Sequence, residues 1–160
     1  MGKDIRVGRF MANPNEEVVV FIIGMRINKW WAIHKWLPVA KAMPGMIREL
    51  YSNKKYGFLS LESTMNLRTI VSIQYWSSVE QLQAYAKEPL HTKAWKNFNK
   101  KCRNNSAVGV FHETYIVSPS KYESVYVNMP IFGLGTAVGS QSVAKHYNSA
   151  AQRLEHDETT

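Results

Sequence analysis

Residues 18–23 have the sequence VVVFII, an unbroken run of β-branched and aromatic residues that follows the turn pair Asn13-Pro14. A continuous apolar run of this length, bounded by turn residues, predicts a strand that is buried on both faces. Such a strand needs neighbouring strands in a sheet and a packed layer on each side of that sheet. The rest of the chain must therefore supply both.

The segments that follow this strand predict a helix and a hairpin. Apolar positions spaced three and four apart predict a helix over residues 29–52, with a break at Pro44-Gly45. Residues 56–64 and 68–76 predict two strands, and the tight connection between them implies an antiparallel hairpin.

The second half of the chain repeats the alternation of helix and strand. Ser78 to Gln81 has the spacing of a capping box and predicts the start of a helix that runs through Ala86. A further helical segment is predicted over residues 90–102, and strands are predicted over 107–117 and 122–129. The order strand, helix, strand, strand, helix, strand is the split βαβ arrangement, and one strand is left over.

The predicted fold class is therefore α+β, a ferredoxin-like antiparallel sheet with two helices on one face. The other face of so apolar a sheet needs a cover, and a second copy of the same sheet is the economical one. This predicts a homodimer that forms a dimeric α+β barrel. We divide the chain into an N-terminal arm (1–13), the barrel domain (14–130) and a C-terminal tail (131–160) with a short helix near 143–153.

Composition and charge narrow the classes of protein to which the chain can belong. A chain of 160 residues with 45 % hydrophobic residues suits one domain with a core. The net charge of +8 is spread along the chain and accompanies no nucleic-acid-binding motif, so the sequence gives no support for such binding. The longest apolar run, 18–25, is too short to span a bilayer, and the first residues lack the apolar stretch of a secretory signal. We therefore expect a cytoplasmic protein.

One helix face carries the most informative histidine. His91, Trp95 and Phe98 stand at positions i, i+4 and i+7, on one face of the predicted helix. A neutral imidazole on an apolar wall is how a protein holds a haem iron from the proximal side. A partly buried histidine bonded to a backbone carbonyl produces the same pattern, so the spacing alone leaves both interpretations open.

Two further residues are candidates for a site. His112 alternates with apolar residues such as Val110 along its strand, as either a core group or a proton-transfer group lining a cavity. Arg26 shares a strand face with Ile22 and Gly24, where it could meet a carboxylate or simply mark an exposed strand end. Phosphate-binding glycine loops, a nucleophile elbow and the His-Glu-x-x-His motif are missing from the sequence.

Three segments carry a family resemblance. The sequences HTKAWKNF (91–98), GVFHETY (109–115) and YVNMP (126–130) resemble a group of bacterial and fungal proteins described as monooxygenase-like and placed in the dimeric α+β barrel superfamily. The resemblance covers about residues 7–135 in order. It implies the same fold that the pattern of strands and helices predicts.

The first two of these segments also resemble the C-terminal half of the haem-containing aldoxime dehydratases, lyases that turn aldoximes into nitriles. This resemblance implies that His91 is the proximal haem ligand and thus the metal ligand, and that His112 is a distal acid/base group. In the same arrangement Trp95 and Phe98 would pack against the porphyrin, and Arg26 or nearby lysines would neutralise its propionates.

The leading hypothesis is a monooxygenase-like oxidoreductase that acts on a small hydrophobic or aromatic substrate and depends on haem. Three alternatives remain open. They are a haem lyase of the aldoxime dehydratase type, a cofactor-free monooxygenase or isomerase that uses His112, and a non-catalytic module that binds a hydrophobic ligand.

Overall fold

A computed structural model describes residues 4–13, 15–102, 106–144, 147 and 149–154. A 3₁₀ turn, Lys54–Tyr56, accompanies the strands and helices. In chain order these are β1 (Arg6–Ala12), β2 (Val18–Ile27), α1 (Ile33–Ser52), β3 (Phe58–Met65), β4 (Thr69–Trp76), α2 (Val79–Ala86), α3 (Pro89–Cys102), β5 (Val108–Val117), β6 (Tyr126–Met129), α4 (Leu134–Val138), β7 (Ser140–Ser142) and α5 (Ala150–Leu154).

The main sheet is antiparallel and has the strand order β3-β4-β2-β5. This is the predicted ferredoxin-like α+β arrangement, and that prediction is confirmed. The apolar run 18–23 lies in the central strand β2, which pairs with β4 on one side and β5 on the other. Val18 and Val19 are fully buried. Burial on both faces explains why this strand carries an uninterrupted apolar sequence.

Two apolar clusters join the helices to one face of the sheet. Under the C-terminal half of α1, Leu50 packs with Val19 and Trp76. Nearer the N-terminus of α1, Trp36 packs against a cluster formed by Met25, Ile27 and Val108. The two ends of α1 are therefore each anchored to the sheet.

Helix α1 runs without interruption from Ile33 to Ser52, although it contains Pro38 and Pro44. The predicted break at Pro44-Gly45 is therefore wrong. An interior proline removes one backbone hydrogen bond and crowds the preceding turn, at a cost of about 3 kcal/mol. Packing at both ends of the helix offsets this local cost, which the sequence pattern alone does not weigh.

The predicted helix start at Ser78 is confirmed. The Ser78 hydroxyl accepts a hydrogen bond from the backbone N–H of Gln81 over 3.2 Å. The second half of the capping box differs from the prediction, because the side-chain carbonyl of Gln81 accepts a hydrogen bond from the hydroxyl of Ser77. The Ser77 N–H donates to the carbonyl of Gly57 over 2.9 Å.

A second sheet, in the order β6-β1-β7, contains residues that the sequence assigned to the arm and the tail. Residues 6–12, predicted as part of an N-terminal arm, form β1, and the leftover strand begins at Tyr126 and pairs with β1. The sequence did not predict β1 because its pattern is irregular. Gly8 has a φ of 108° and interrupts the register with β6. The Gly8 N–H donates to Asn128 Oδ1 over 2.9 Å. Met11 and Ala12 are nevertheless buried.

The C-terminal segment docks on the sheet face opposite α1–α3. The Ser60 hydroxyl donates to the Gly133 carbonyl over 3.3 Å, and the Gly133 N–H donates to Glu62 Oε1 over 3.1 Å. The face predicted to be bare is therefore partly covered by the chain itself. Of the helix predicted near 143–153, the structure has α5, Ala150–Leu154, while residues 145, 146 and 148 lie outside the described residues.

Within the part of the chain that the structure describes, no helix has the length and apolar character needed to cross a membrane.

Candidate functional site

A cavity of about 820 Å³ lies between the main sheet and helices α1, α2 and α3. Its sheet wall includes Phe21 and Ile23 of β2 and Val110, His112 and Thr114 of β5. These side chains face the helices because alternate residues of a strand point to the same face. The two apolar clusters hold α1 against the sheet at either end, and the cavity occupies the space between them.

His91 reaches the cavity from the first turn of α3. Its Nδ1 lies 2.9 Å from the carbonyl oxygen of Ala86, the last residue of α2. The last carbonyls of a helix have no partner within that helix, so the imidazole satisfies one of them. A carbonyl oxygen only accepts, so Nδ1 carries the proton and donates it. The lone pair of Nε2 is thereby left available for a ligand.

The Tyr85 ring packs against the His91 ring. The two rings contact edge to face, with 5.8 Å between their centroids. The Tyr85 hydroxyl donates to Glu49 Oε2 of α1 over 3.1 Å. Burial, and then the hydrogen bond to Glu49, raise the pKa of Tyr85 above its ordinary value. Tyr85 therefore remains a neutral donor that ties α2 to α1 beside His91.

His112 lies on the sheet wall, with its ring centroid 5.6 Å from that of Phe21. The next residue, Glu113, points to the other face of the sheet and accepts a hydrogen bond from the Tyr115 hydroxyl over 2.6 Å. This hydrogen bond raises the pKa of Tyr115. The histidine and the glutamate that are adjacent in the sequence are therefore separated by the sheet, and His112 faces the cavity without that carboxylate.

Trp95 and Phe98 also line the cavity from α3. Their rings are stacked, with centroids 5.4 Å apart and planes inclined by 24°, and half of the Trp95 surface is exposed. The structure thus brings His91, His112, Trp95 and Phe98 together around one space.

Arg26 does not belong to this group. The β2 residues that face the helices are the odd-numbered ones, such as Phe21 and Ile23, and Arg26 has the opposite parity. It is exposed on the other side of the sheet. The prediction that Arg26 neutralises a propionate in this cavity is therefore wrong.

The sequence interpretation missed Lys87. This residue directly follows the last residue of α2, as its C-cap, and lines the cavity next to Ala86 and His91. Among the described residues of the cavity wall, Lys87 carries a positive charge and no carboxylate is present. The sequence contains a signal for this position. The Glu88-Pro89 interruption marks the junction between the two helices that carry the site, and Lys87 directly precedes it.

The donor set of the described residues limits the kind of metal centre that they could hold. These residues contain no group of three or more His, Cys, Asp or Glu side chains that could hold a metal ion by themselves. A haem iron is held by the porphyrin and needs a single protein ligand, such as a proximal histidine. His91 offers a ligand of this type, on a mostly apolar wall.

A family model described as monooxygenase af470-like matches residues 18–134, a range that includes the main sheet, α1–α3 and both cavity histidines. The chain belongs to the monooxygenase af470-like family. Monooxygenase af470 of Aspergillus fumigatus is 41 % identical over 136 residues, which cover 79 % of this chain and 48 % of that protein. The present chain therefore spans about half the length of this curated relative.

Two solved structures of aldoxime dehydratases share the fold of this monooxygenase af470-like chain. OxdRE in complex with butyraldoxime superposes with a TM-score of 0.66 at 16 % identity, over 85 % of this chain and 42 % of the dehydratase. A second aldoxime dehydratase has a TM-score of 0.65 at 16 % identity, over 87 % and 44 % of the two chains. The predicted resemblance to both groups is confirmed, for the dehydratases at the level of the fold.

Proposed function

We propose that this chain is a haem-dependent, monooxygenase-like oxidoreductase that acts on a small hydrophobic or aromatic substrate in the cavity beneath α1–α3. The observation that carries the proposal is the placement of His91 and His112 around one apolar cavity, with the lone pair of His91 Nε2 available. Membership of the monooxygenase af470-like family supports the reaction class.

The residues of the cavity fit a haem in three respects. A histidine that ligates a metal through one nitrogen commonly donates its other N–H to a carbonyl, as His91 does to Ala86. Trp95 and Phe98 offer stacked aromatic surface, and the cavity volume of about 820 Å³ lies within the range typical of cofactor sites. Lys87, in place of Arg26, is the cation available to an anionic group of the cofactor.

His91 would hold the iron, and a bound haem would supply the oxidative chemistry. The protein's own contribution is binding, orientation and proton transfer. Phe21, Ile23 and Val110 form an apolar wall that excludes water and favours an apolar substrate. An imidazole can serve as a proton donor or acceptor, and His112 lies on the wall of the cavity in which the substrate would bind.

The test is an absorption spectrum of the protein after incubation with ferric haem and desalting. We expect a retained Soret band for the wild type, its loss in His91→Ala, and its retention in the matched control His34→Ala, since His34 is exposed at the start of α1 and does not line the cavity. Far-UV circular dichroism shows whether each variant is folded. A wild type that retains no band, or a band unaffected by His91→Ala, would overturn the proposal.

The alternatives have different outcomes in the same set of variants. A cofactor-free monooxygenase or isomerase would be active without haem and would lose activity with His112→Ala but not with His91→Ala. A haem lyase would convert an aldoxime to a nitrile when loaded with haem. A binding module would hold a hydrophobic ligand after loss of both histidines and would show no turnover.

We also infer a homodimer. On the sheet face opposite the helices, Ile22, Ile73 and Phe111 form an apolar surface next to the half-exposed Tyr115. The β6-β1-β7 sheet and α4 cover the part of this face nearer to Tyr75, so a second copy would cover the remainder. Light scattering should give about twice the mass of 18.3 kDa, and a stable monomer would contradict the inference.

A further inference from the structure

One end of the molecule contains no acidic residue in any of the three segments that meet there. Residues 18–48, 63–79 and 89–112 contain no Asp or Glu. They converge where β2 ends: the Ile27 N–H donates to the Arg68 carbonyl over 2.7 Å, and the Asn28 N–H donates to the Ala107 carbonyl over 2.9 Å. We call the end formed by residues 26–33, 65–69 and 106–107, together with Lys100 of α3, the basic end.

The cations of the basic end belong to segments that contain no acidic residue. Arg26, Lys29 and Lys100 belong to these segments, and Lys100 lies in the last turn of α3. Arg68 donates through Nη1 to the carbonyl of Asn28 over 3.2 Å, so a backbone oxygen, not a carboxylate, accepts from its guanidinium. The charge at this end is therefore not neutralised by acidic residues of the same segments, and it produces a positive potential.

Large apolar side chains protrude from the same end. Leu67 is 86 % exposed, Trp31 is 78 % exposed and Met65 is 75 % exposed. Single exposed apolar residues are ordinary, but three of this size beside a cluster of cations mark an interaction surface.

The turn that presents Leu67 is well defined. The side-chain oxygen of Asn66 accepts hydrogen bonds from the backbone N–H groups of Arg68 and Thr69, both over 2.9 Å. This asparagine turn closes the β3–β4 hairpin and places Leu67 at its tip. The exposure of Leu67 thus results from an ordered turn.

We propose that the basic end binds the surface of an anionic lipid bilayer, with Trp31, Met65 and Leu67 at the boundary between headgroups and acyl chains. Peripheral membrane binding combines buried apolar side chains with cations against anionic headgroups, and tryptophan favours the interface. A nucleic acid would satisfy the cations but offers no apolar environment for leucine and methionine. An anionic bilayer offers headgroups to the cations and acyl chains to the apolar side chains, and an apolar substrate also concentrates in it.

Flotation with lipid vesicles tests the proposal. We expect the wild type to bind vesicles that contain phosphatidylserine more tightly than vesicles of phosphatidylcholine alone. Arg26→Gln with Lys29→Gln should weaken binding about fivefold per removed charge, the equivalent of about 1 kcal/mol. Trp31→Ala with Leu67→Ser should abolish flotation. Leu154→Ser is the matched control, because Leu154 is an exposed leucine at the opposite end of the molecule. Its neighbour Arg153 pairs with Glu123, which lies near Val18 at the other end of β2.

Tryptophan fluorescence separates insertion from charge attraction alone. On binding to vesicles with phosphatidylserine, the emission of the wild type should shift to shorter wavelength and be quenched by brominated acyl chains, and Trp31→Phe should lose that response. Absence of binding, binding unaffected by both double variants, or displacement by a single-stranded oligonucleotide without quenching would overturn the proposal. A fall in oligomeric mass for Trp31→Ala with Leu67→Ser would do the same, since it would identify a protein surface as the occupant.

Discussion

The aromatic ring of Phe111 lies against the backbone of Gly24, its direct partner across the β2–β5 ladder. A Cβ at position 24 would stand 2.5 Å from Phe111 Cζ and 2.8 Å from the carbonyl oxygen of Ile70 on β4. The central strand therefore has no room for a side chain at this point. The missing side chain allows the Phe111 ring to occupy the space over Gly24, and this ring belongs to the face that we infer a second copy covers.

Gly24→Ala should destabilise the protein by about 1–3 kcal/mol, the usual cost of overpacking. The additional Phe111→Leu substitution should restore only part of the loss, because the Ile70 carbonyl would still crowd the new Cβ. Urea unfolding followed by circular dichroism gives the free energy of unfolding. Gly45→Ala is the matched control. Apart from the adjacent residues and the backbone of α1 itself, no atom lies within 4 Å of the Cβ position, and the substitution should stabilise the protein by about 0.5–1 kcal/mol.

The sequence predicted the elements whose signals are local. The apolar run 18–23, the alternation in residues 68–76 and the serine cap at residue 78 each depend on neighbours within a few positions, and each is found in the structure. Strand β1 depends instead on partners more than 110 residues away, and Gly8 interrupts its alternation. Pro44 was misjudged for a related reason, since distant packing holds α1 together.

The site was predictable on the helix and only partly on the sheet. The spacing of His91, Trp95 and Phe98 on one helix is local, and the structure places all three around the cavity. Arg26 was misplaced because β2 is apolar on both faces, so its sequence does not reveal which face carries the cavity. That choice is made by α1 and α3, which pack on the side of the odd-numbered residues.

Ser78→Ala should cost about 1 kcal/mol of stability, because it removes the side-chain acceptor for an unpaired N–H in the first turn of α2. Ser78→Gly should cost only a few tenths of that, since glycine tolerates the cap conformation and leaves the N–H open to water. The difference between the two variants, measured by urea unfolding, isolates the capping bond. Equal losses for both would indicate that Ser78 matters through packing.

The stability of the protein should fall as the pH rises above about 10, the ordinary pKa of tyrosine. Burial is the main cause that raises the pKa of both Tyr85 and Tyr75 in the folded state. The folded protein therefore binds protons that the unfolded chain releases. The stabilisation is fully present below about pH 10 and is lost as the pH rises towards the folded-state pKa values.

Tyr85→Phe tests which hydroxyl is responsible for the alkaline loss. At neutral pH the substitution should lower the free energy of unfolding by about 1 kcal/mol, because the hydrogen bond to Glu49 is lost while the ring still contacts His91. Above pH 10 the difference between variant and wild type should shrink, since phenylalanine does not ionise. Tyr51→Phe is the control, because Tyr51 is exposed on α1. Unfolding curves at several pH values give both comparisons, and a constant difference across the range would contradict the assignment.

Docking of the C-terminal segment should depend on the pair formed by Arg153 and Glu123. Arg153 is 5 % exposed, and its Nε donates to Glu123 Oε2 over 2.8 Å while Nη1 donates to the Tyr147 carbonyl over 3.1 Å. Arg153→Ala should cost about 1.5–3 kcal/mol, the usual range for hydrogen bonds to charged groups. Arg153→Lys keeps the charge but cannot satisfy both acceptors in the same planar geometry, so it should recover only part of the loss. Limited proteolysis should show faster cleavage between residues 140 and 153 in Arg153→Ala. Unchanged cleavage would mean that the bonds from Gly133 and Gly135 to Glu62 and Tyr126 hold this segment without the ion pair.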